Sequence, residues 1–372
     1  MKIAFADPTL SYTVDTAYRQ PLGGCQSATC YLSEALVAAG HEVLLLTATE
    51  SPAIERGVIC KGWELTSPRE LRALGADVVV SAPSAKYGED LRHIFGNDPA
   101  LVLWTGHAHD QPSVQALLEP AERAHHDAYC LVSEWQSRNF RATFGLDPAR
   151  VKVIGYAASP AFCNLHPDGT AVGPASARAP VLAYTSTPFR GLATLLALFP
   201  EIRRRVPGTL LRVYSSMQVY QVPDARDEAE FGALYRQCRA TEGVEYIGSL
   251  PQPALARALR EVTVLAYPNT FAETYCISVL EAMAAGCRIV SSELGALPET
   301  TAGYAHLVPI IDRKQTYAGE FIEATVAALE VAAAGTDGSR LAAQVDHVNR
   351  SCTWPLRARQ WIDWLESIVS NR

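Results

Sequence analysis

The stretch Pro268-Asn-Thr-Phe-Ala-Glu273-Thr-Tyr-Cys-Ile-Ser-Val-Leu-Glu281-Ala-Met-Ala-Ala-Gly286 contains two glutamates with seven residues between them. The apolar, β-branched run before it, residues 262–267, predicts a strand covered on both faces. Residues 287–291, directly after it, resume such a strand. Strand, loop, helix and strand in this order are typical of a parallel α/β sheet.

The helix of this segment is expected to begin near Thr274 and to end at Gly286, because apolar residues recur at helical spacing between them. Such a helix points free backbone N–H groups and the positive end of its dipole at the carboxyl edge of the sheet. Anionic ligands gather at that edge. Glu273 is then expected at the edge, and Glu281 about two turns further along the helix.

Acidic residues beside an anion site call for a ligand that also carries hydroxyl groups. Carboxylates accept strong, charge-assisted hydrogen bonds from paired sugar or ribose hydroxyls, and a nucleotide sugar offers both hydroxyls and phosphates. The alternative is that Glu273 caps the helix and Glu281 is a solvated helix position. Leu280 and Met283 favour burial around Glu281, and a buried acid needs partners.

The glutamate pair resembles the donor site of retaining glycosyltransferases, specifically glycosyltransferase family 4, whose mark is this pair with seven residues between. The loop Ser291-Ser-Glu-Leu-Gly-Ala-Leu-Pro-Glu-Thr300 is similar to a family segment in which a glycine-containing loop leads to a Pro-Glu pair. The resemblance covers nearly the whole chain. It implies α/β GT-B architecture, with two Rossmann-like parallel-sheet domains facing a central cleft and a C-terminal helix that crosses back to the first domain.

The same resemblance implies a retaining hexosyltransferase that uses a nucleotide sugar, UDP- or GDP-linked, without a metal or other cofactor. Glu273 is expected to orient or stabilise the sugar, and Glu281 to hold the ribose. Further donor contacts are expected from the start of the helix, at Thr274, Tyr275, Cys276 and Ile277. The nucleobase pocket is expected around Tyr246 to Leu250, built from backbone groups. Whether Glu273 attacks the sugar covalently stays open, although the resemblance favours front-face transfer.

The amino terminus predicts another unit of strand, loop, helix and strand. Residues 1–7 and 42–47 are the expected strands, and residues 28–39 the expected helix. Gly23 and Gly24 stand before that helix, where a glycine pair lets backbone approach a ligand closely in front of the helix amides. In the resembled family this loop faces the donor diphosphate and the acceptor. By itself the pair lacks the spacing of a dinucleotide-binding fingerprint.

A histidine-rich loop follows the apolar strand expected from Leu101. It contains His107, His109 and Asp110, and residues just past the carboxyl end of a strand line the ligand crevice of an open sheet. The resemblance implies that one histidine lies near the face of the donor sugar, and the choice between the two stays open; Asp110 is expected on the acceptor side. A metal site is the alternative, but no further Cys or His cluster stands nearby in the sequence.

The carboxyl-terminal half restarts the α/β alternation after a stretch rich in Gly, Ala and Pro. Residues 168–179 predict a linker, because they show no apolar period. The expected domains are therefore an acceptor-side domain, residues 1–167 with the C-terminal helix 355–372, and a donor domain, residues 180–354. The donor domain continues with a helix expected over Leu192 to Arg205.

Arg190 follows the first strand end of this half and suits bidentate contact with a diphosphate. Many relatives in the resembled family carry a second basic residue where this chain has Tyr184-Thr-Ser-Thr187. The phosphate contacts are therefore expected from Arg190, Ser186, Thr187 and helix amides. This departure from the family pattern is the main feature that favours an inactive, sugar-nucleotide-binding protein as an alternative.

Composition limits the partners and the compartment. With 372 residues the chain is long for one core, and a formal charge of −7 argues against nucleic acid as a partner. Nine scattered cysteines are typical of reduced thiols in a cytoplasmic protein. We expect neither a secretory signal nor a spanning helix, because the chain enters a strand at once and no apolar run nears roughly 18 residues. Peripheral membrane contact stays open.

The acceptor is not determined by the sequence. Glycans, lipid-linked sugars, protein side chains and small molecules all stay open, with candidate contacts in the loops 15–22, 83–89 and 107–113. Two enzymatic alternatives also remain. A nucleotide-sugar epimerase or hydrolase of the same architecture would use water as the acceptor. A glycogen-phosphorylase-like enzyme would need a cofactor lysine, and the sequence has none at the Arg190 position or beside Glu273.

Overall fold

The computed structural model of the protein describes residues 1–166, 180–310 and 314–371. The chain forms two compact units. The first consists of Met1–Arg19, Gly23–Ala157 and Cys352–Arg372, and the second of Gln20–Leu22 and Ala158–Ser351. The linker predicted at residues 168–179 lies outside the described residues.

The first unit is built on one sheet of eight described strands. They are β1 (Lys2–Asp7), β2 (Glu42–Thr47), β3 (Ala53–Glu55), β4 (Val58–Gly62), β5 (Val78–Ser81), β6 (Ala100–Thr105), β7 (Ala128–Leu131) and β8 (Val151–Val153). Their order across the sheet is β3-β4-β2-β1-β5-β6-β7-β8, and every pair is parallel except β3 with β4. β5 and β6 are buried along their whole length, as parallel strands covered on both faces are.

Helices connect these strands. They are α1 (Thr16–Arg19), α2 (Gly24–Ala38), α3 (Pro68–Ala73), α4 (Gly88–Phe95), α5 (Pro120–His125) and α6 (Glu134–Phe144), with 3₁₀ turns at Ala85–Tyr87, Pro112–Leu118 and Pro148–Arg150. The helix expected over residues 28–39 begins earlier, at Gly24, so that start was predicted wrongly. Gly23 serves as its N-cap with φ −59° and ψ 150°. Glycine has low helix propensity, which hides this start in the sequence.

The second unit has a sheet of six described strands, all parallel. They are β9 (Val181–Tyr184), β10 (Leu210–Val213), β11 (Val244–Tyr246), β12 (Val264–Tyr267), β13 (Arg288–Glu293) and β14 (His306–Pro309). The order is β11-β10-β9-β12-β13-β14. The prediction of two parallel-sheet α/β units is therefore confirmed.

The second unit also contains helices. They are α7 (Leu192–Arg205), α8 (Asp224–Ala240), α9 (Gln252–Leu259), α10 (Ile277–Ala284), α11 (Leu297–Thr301), α12 (Lys314–Ala334) and α13 (Gly338–Ser351), with 3₁₀ turns at Pro160–Phe162, Pro188–Arg190 and Met217–Tyr220. α10 begins at Ile277 and not near Thr274, because Cys276 adopts a left-handed conformation with φ 71° and breaks the helix on that side. It ends just before Gly286, as predicted.

The last helix, α14 (Trp354–Ser370), returns to the first unit and packs against α2. Its Trp361 is 1% exposed, and the ring lies 5.1 Å from that of Trp104 and 6.3 Å from that of Phe5, between ring centroids. Arg357 adds a hydrogen bond of 3.0 Å from Nε to the carbonyl oxygen of Tyr156. The expected return of the C-terminal helix is confirmed. None of the described helices has both the length and the hydropathy to cross a bilayer.

Candidate active site

Polar residues gather where the central strands of the second unit end. β10, β9 and β12 are neighbours and run parallel, so the residues that follow Val213, Tyr184 and Tyr267 lie at one edge of the sheet. The carboxyl edge is where open parallel sheets bind ligands. The predicted donor residues Arg190 and Glu273 both follow strands that end here.

Arg190 and Glu273 form a largely buried ion pair. Nη1 of Arg190 lies 2.8 Å from Oε1 and 2.9 Å from Oε2 of Glu273. The two side chains are 19% and 6% exposed. Burial opposes the charge on the guanidinium, but the adjacent carboxylate outweighs it and raises the pKa of Arg190 well above its usual value. The two groups that the sequence predicted separately are thus in direct contact.

The guanidinium of Arg190 is held on several sides. Its central carbon lies 4.3 Å from the ring centroid of Phe271, which is a cation–π contact. Nη2 lies 3.4 Å from the hydroxyl of Tyr220, while Nε is buried with no partner in the described residues. The next residue, Gly191, lies against the backbone of Pro268. Only glycine fits there, since its φ is +135° and a Cβ would lie 2.3 Å from the carbonyl oxygen of Pro268.

The backbone of Glu273 is fixed by the loop after β13. The N–H of Ala296 donates to the carbonyl oxygen of Glu273 at 2.7 Å. Gly295 has φ +66°, and a Cβ at this position would lie 2.2 Å from the same oxygen. Only glycine fits so close to the loop. Glu273 therefore does not cap the helix, and that alternative was wrong: Cys276 is the residue at the N-cap of α10.

Tyr267 also contacts the carboxylate, a role that was not predicted from the sequence. Its hydroxyl donates to Oε1 of Glu273 at 2.6 Å and lies 3.3 Å from Oγ of Ser186. The ring is 1% exposed and lies against that of Tyr184, 5.7 Å away between centroids. The hydroxyl of Tyr184 donates to the carbonyl oxygen of Thr187 at 2.7 Å. Two strand-end tyrosines thus hold the predicted donor residues Ser186, Thr187 and Glu273.

The residues just before the N-cap of α10 are buried, whereas Cys276, Ile277 and Ser278 are half-buried. Thr274 and Tyr275 are 7% and 9% exposed, and the hydroxyl of Thr300 donates to the carbonyl oxygen of Tyr275. Cys276 then turns the chain, and α10 begins at Ile277. The first N–H groups of an α-helix have no backbone partner within the helix. In α10 the N–H of Val279 contacts the thiol of Cys276, and those of Ile277 and Ser278 are the donors that suit an anionic ligand at this edge.

Glu281 is buried inside α10, at 2% exposure, so the alternative of a solvated helix position was wrong. Its carboxylate oxygen Oε1 lies 3.4 Å from the backbone N of Ser159, and the side chain of Gln252 donates a second hydrogen bond. Burial raises the pKa of Glu281 to about 8, against the lowering effect of these two donors. Burial therefore favours the neutral form of this carboxyl group.

Several buried polar atoms near this edge have no hydrogen-bond partner among the described residues. They are Thr185 Oγ1, Thr187 Oγ1, Arg190 Nε, Ser215 Oγ, Gln252 Oε1 and Asn269 Nδ2. Buried polar groups in folded proteins are nearly always satisfied, so each of these needs an explanation. All but Gln252 lie within a few residues of the ends of β9, β10 and β12, and Gln252 begins α9 after β11. Such atoms are suited to hydrogen bonds with a polar ligand at this edge.

The segment Tyr246 to Leu250, predicted to surround the nucleobase, follows β11 at the same edge. The N–H groups of Ile247 and Gly248 both donate to the carbonyl oxygen of Val213, at 3.0 and 3.3 Å. The hydroxyl of Tyr246 donates to the carbonyl oxygen of Ser215 at 2.9 Å. The N–H groups of Ile247 and Gly248, which were expected to contact the nucleobase, thus already donate hydrogen bonds within the unit.

The predicted residues of the first unit form a separate group. Gly24 is the first residue of α2, behind the N-cap Gly23. A Cβ on Gly106 would lie 2.8 Å from Sγ of Cys25, so the histidine-rich loop passes close to the start of α2.

The two histidines of this loop differ in their contacts. Nδ1 of His107 lies 3.0 Å from Oε1 of Gln111, which ties its ring to the loop. Nδ1 of His109 is buried without a partner in the described part of the chain, and its ring lies 6.3 Å from that of Trp135 between centroids. Asp110 is exposed. No group of three or more His, Cys, Asp or Glu side chains in the described residues is placed to hold a metal ion.

Asp7 is a buried acid that was not predicted from the sequence. It ends β1 at 1% exposure and accepts hydrogen bonds of 3.0 Å from both the hydroxyl of Tyr12 and Nε2 of Gln26. Burial raises its pKa, against these donors and those of Thr9. The hydrogen bond from Gln26 to Asp7 thus connects the start of α2 to the end of β1. The position of Asp7 at the end of an apolar strand was the available signal.

Comparison with known proteins gives a family match. A family model described as Glycosyl transferases group 1 matches residues 180–330, which lie in the second unit. This region contains Arg190, Glu273 and Glu281.

Among curated proteins, the chain is similar to mannosyltransferases. The chain is 26% identical over 321 residues to a phosphatidyl-myo-inositol mannosyltransferase of Mycolicibacterium smegmatis, covering 78% of each protein. It is 29% identical over 145 residues to one of Mycobacterium tuberculosis, covering 38% of this chain and 35% of that relative. The chain thus matches about a third of the length of the latter protein.

Solved structures match over the full chain. A sucrose-phosphate synthase from Thermosynechococcus elongatus superposes with a TM-score of 0.69 at 17% identity, covering 100% of both chains. Anabaena HepE in complex with UDP-glucose has a TM-score of 0.66 at 14% identity, covering 99% of this chain and 100% of HepE. At such identities the likeness shows the fold alone. The chain therefore has the GT-B fold, and its second unit contains a region that matches the group 1 glycosyl transferases.

Proposed function

We propose that the protein is a retaining glycosyltransferase of family 4 that transfers a sugar from a UDP- or GDP-sugar to a hydroxyl acceptor. The observation that carries the proposal is the edge of the second sheet. There a guanidinium is paired with a carboxylate, and a buried carboxyl group lies in the helix that follows. Several polar atoms in the segments after these strands have no partner among the described residues. A nucleotide sugar needs a cation for its diphosphate and acceptors for its hydroxyls.

The donor is assigned to this edge by its chemistry. Arg190 and the first N–H groups of α10 bind the diphosphate, with Thr187 and Ser186 in place of a second cation. Glu273 accepts hydrogen bonds from the sugar hydroxyls. Glu281 contacts the ribose. Gln252 beside it offers a ribose hydroxyl its carbonyl oxygen, which has no partner in the part of the chain that the structure describes. Anabaena HepE, which shares the fold, was solved in complex with UDP-glucose, and this supports a donor of the same class.

In the reaction, the bond between the sugar anomeric carbon and the diphosphate oxygen breaks, and a bond to the acceptor oxygen forms on the same face. The acceptor proton passes to the departing diphosphate. Negative charge that develops on the diphosphate is stabilised by Arg190 and the amides of α10. The contact with Arg190 strengthens as that charge grows, so it lowers the barrier as well as binding the donor.

The acceptor is assigned to the first unit. Asp110, in the loop that also contains His107 and His109, is its candidate polar contact. Gly23 and Gly24 stand at the start of the helix beside this loop. The names of the curated relatives describe mannosyl transfer to phosphatidyl-myo-inositol, a lipid with a cyclic polyol headgroup. A saccharide or a lipid-linked polyol is therefore the acceptor class to try first.

The proposal is tested by a thermal-shift screen of the protein against UDP-, GDP-, ADP- and TDP-sugars, repeated with Glu281→Ala. A ligand that binds the native state raises the melting temperature by mass action. We expect a shift with one nucleotide series that the substitution abolishes. Product release without any acceptor, as free sugar or an epimer, would indicate the hydrolase or epimerase alternative. No shift with any nucleotide sugar, in a well-folded sample, would refute the donor site.

A further inference from the structure

We propose that Tyr267 is a positioning residue for Glu273, and that it holds the carboxylate in place while Arg190 binds the donor diphosphate. The inference rests on the proposed function and extends it to a residue outside the glutamate pair and the basic residue. Three observations carry it: the contacts of the carboxylate, the rigidity of the tyrosine, and the divided role of the arginine.

The carboxylate of Glu273 is shared by two donors of different kinds. Oε1 accepts from Nη1 of Arg190 at 2.8 Å and from the hydroxyl of Tyr267 at 2.6 Å, whereas Oε2 accepts from Arg190 at 2.9 Å. A hydroxyl bond to an ionised oxygen at this distance is a strong one. Tyr267 thus provides a contact to the carboxylate that does not depend on Arg190.

Tyr267 cannot follow a ligand, because its side chain has few rotatable bonds and is enclosed. It ends β12, its ring is 1% exposed, and the ring of Tyr184 on the adjacent strand β9 lies against it at an interplanar angle of 63°. Its hydroxyl also lies 3.3 Å from Oγ of Ser186. Burial raises the pKa of Tyr267 well above its usual value, so the hydroxyl keeps its proton and remains a donor.

Arg190 has the opposite character. Its side chain has more rotatable bonds than that of Tyr267. Nη1 is paired with Glu273 and Nη2 lies 3.4 Å from the hydroxyl of Tyr220, but Nε has no partner in the described residues. A diphosphate that enters this edge competes with Glu273 for the guanidinium. Once the charge of Arg190 is shared, the hydroxyl of Tyr267 is the rigid contact that keeps the carboxylate turned toward the sugar.

The first test is structural and needs no ligand. Crystal structures of Arg190→Gln and of the double variant Arg190→Gln with Tyr267→Phe are compared. We expect the Glu273 carboxylate to stay within hydrogen-bond distance of Tyr267 in the single variant and to leave that position in the double variant. The same carboxylate position in both would overturn the proposal. If Arg190→Gln does not fold, Tyr267→Phe with a bound nucleoside diphosphate provides the same comparison with the wild-type complex.

The second test is kinetic, with the donor that the thermal-shift screen identifies. Tyr267→Phe should lower kcat by about 10- to 100-fold, as misplacement of a reacting group does, with KM within about threefold. Tyr184→Phe is the matched control: it also loses one buried hydroxyl bond, but to the carbonyl oxygen of Thr187, so its effect should fall on KM and on the melting temperature. Equal loss of kcat in both variants would refute a specific role for Tyr267. If the wild-type protein binds no nucleotide sugar, the proposed function fails, while the structural comparison still decides the role of Tyr267.

Discussion

A single nitrogen of Arg190 serves both carboxylate oxygens of Glu273, with Nη1 lying 2.8 Å from Oε1 and 2.9 Å from Oε2. Phe271 contacts the guanidinium and Tyr267 the carboxylate, while Gly295 lies against the backbone of Glu273. Each charge therefore stabilises the other in a place where neither is well solvated. The consequences for stability and for the proposed donor site are testable.

Substituting only one member of this pair should destabilise the protein strongly. Arg190→Gln leaves the Glu273 carboxylate buried, with Tyr267 as its remaining donor among the described residues. Loss of a partner from a buried pair costs about 3–5 kcal/mol in the free energy of unfolding. Urea unfolding measures this. The double variant Arg190→Gln with Glu273→Gln should recover part of the loss, because no unpaired charge remains.

The control for this experiment is Arg212→Gln, which breaks partly exposed pairs with Glu245 and Glu261. Surface pairs contribute little, so its cost should stay below about 1 kcal/mol. Equal costs for Arg190→Gln and Arg212→Gln would contradict the buried character of the Arg190–Glu273 pair.

Glu281 should make stability depend on pH in the neutral range. Its pKa is raised by burial from 4.5 to about 8, so the folded protein keeps a proton that the unfolded chain releases above pH 4.5. The stabilisation from this proton is complete below pH 4.5 and is lost as the pH rises to about 8. Glu281→Gln keeps a neutral side chain at every pH.

The measurement is the melting temperature of the wild type and of Glu281→Gln between pH 5 and 9. The variant should gain stability relative to the wild type as the pH rises, with the change flattening above about pH 8. Exposed Glu50→Gln should show no such trend. A constant difference across the range would mean that Glu281 is ionised in the folded protein.

Gly295→Ala should destabilise the protein more than Gly303→Ala, although both glycines have a left-handed backbone conformation. Gly295 has φ +66°, and a Cβ would lie 2.2 Å from the carbonyl oxygen of Glu273. Gly303 has φ +80° with nothing within 4 Å of an added Cβ. Gly303→Ala should therefore cost only the conformational strain, about 1–2 kcal/mol, whereas Gly295→Ala should cost more and weaken nucleotide-sugar binding. Similar melting temperatures and similar thermal shifts for the two variants would argue against this packing role.

Because of His126, the free energy of unfolding of the first unit should decrease in mild acid. His126 is fully buried, and burial lowers its pKa from 6.5 to about 4 despite a hydrogen bond of 3.3 Å between Nδ1 and the carbonyl oxygen of Glu122. The unfolded chain takes up a proton below pH 6.5 and the folded protein only near pH 4. Stability from this residue is therefore present above pH 6.5 and lost as the pH falls toward 4.

The check is the unfolding free energy of His126→Phe at pH 7 and at pH 5. The substitution should be costly at pH 7, since a Cβ on Gly88 would already lie 2.9 Å from the imidazole and space is limited. Its cost should shrink at pH 5, because the wild type alone carries the penalty of keeping the imidazole neutral. Exposed His93→Gln should show no change between the two pH values, and an equal cost for His126→Phe at both would disprove the effect.

Transfer activity should survive removal of metal ions. In the proposed mechanism Arg190 and the α10 amides neutralise the diphosphate, so a chelator such as EDTA should leave the rate within about twofold. The measurement is product formation with and without chelator in the same buffer. Activity that disappears with the chelator and returns with magnesium or manganese would overturn a metal-independent mechanism.

Much of the fold was predicted from the spacing of apolar residues and from the residues that end helices and strands. Residues 42–47 and 192–205 were predicted with the bounds that β2 and α7 have, because apolar runs ended at clear stops. The starts of α2 and α10 were predicted wrongly. In α2 the helix includes Gly24, a poor helix former, and in α10 the left-handed conformation of Cys276 delays the first turn. Neither effect is visible in apolar spacing.

The candidate site was predicted only in part. Glu273, Glu281 and Arg190 were found from the glutamate spacing and from the position after a strand. Tyr267, Gln252 and Asn269 were missed, although Tyr267 and Asn269 stand at a predicted strand end. Asn269 could have been identified as a polar residue that directly follows a buried strand. The partners of Gln252 lie on other elements, so no local pattern identifies it.

The sequence by itself determined that parallel strands and helices alternate and that two glutamates stand near the edge of one sheet, because these depend on local periodicity and spacing. The tertiary structure alone decided that Arg190 and Glu273 pair, that Tyr267 shares the carboxylate, and that burial raises the pKa of Glu281 to about 8. The reason is that Arg190 and Glu273 lie on different βα segments. Their contact depends on which strands are neighbours, and their electrostatics on how much water the packing excludes.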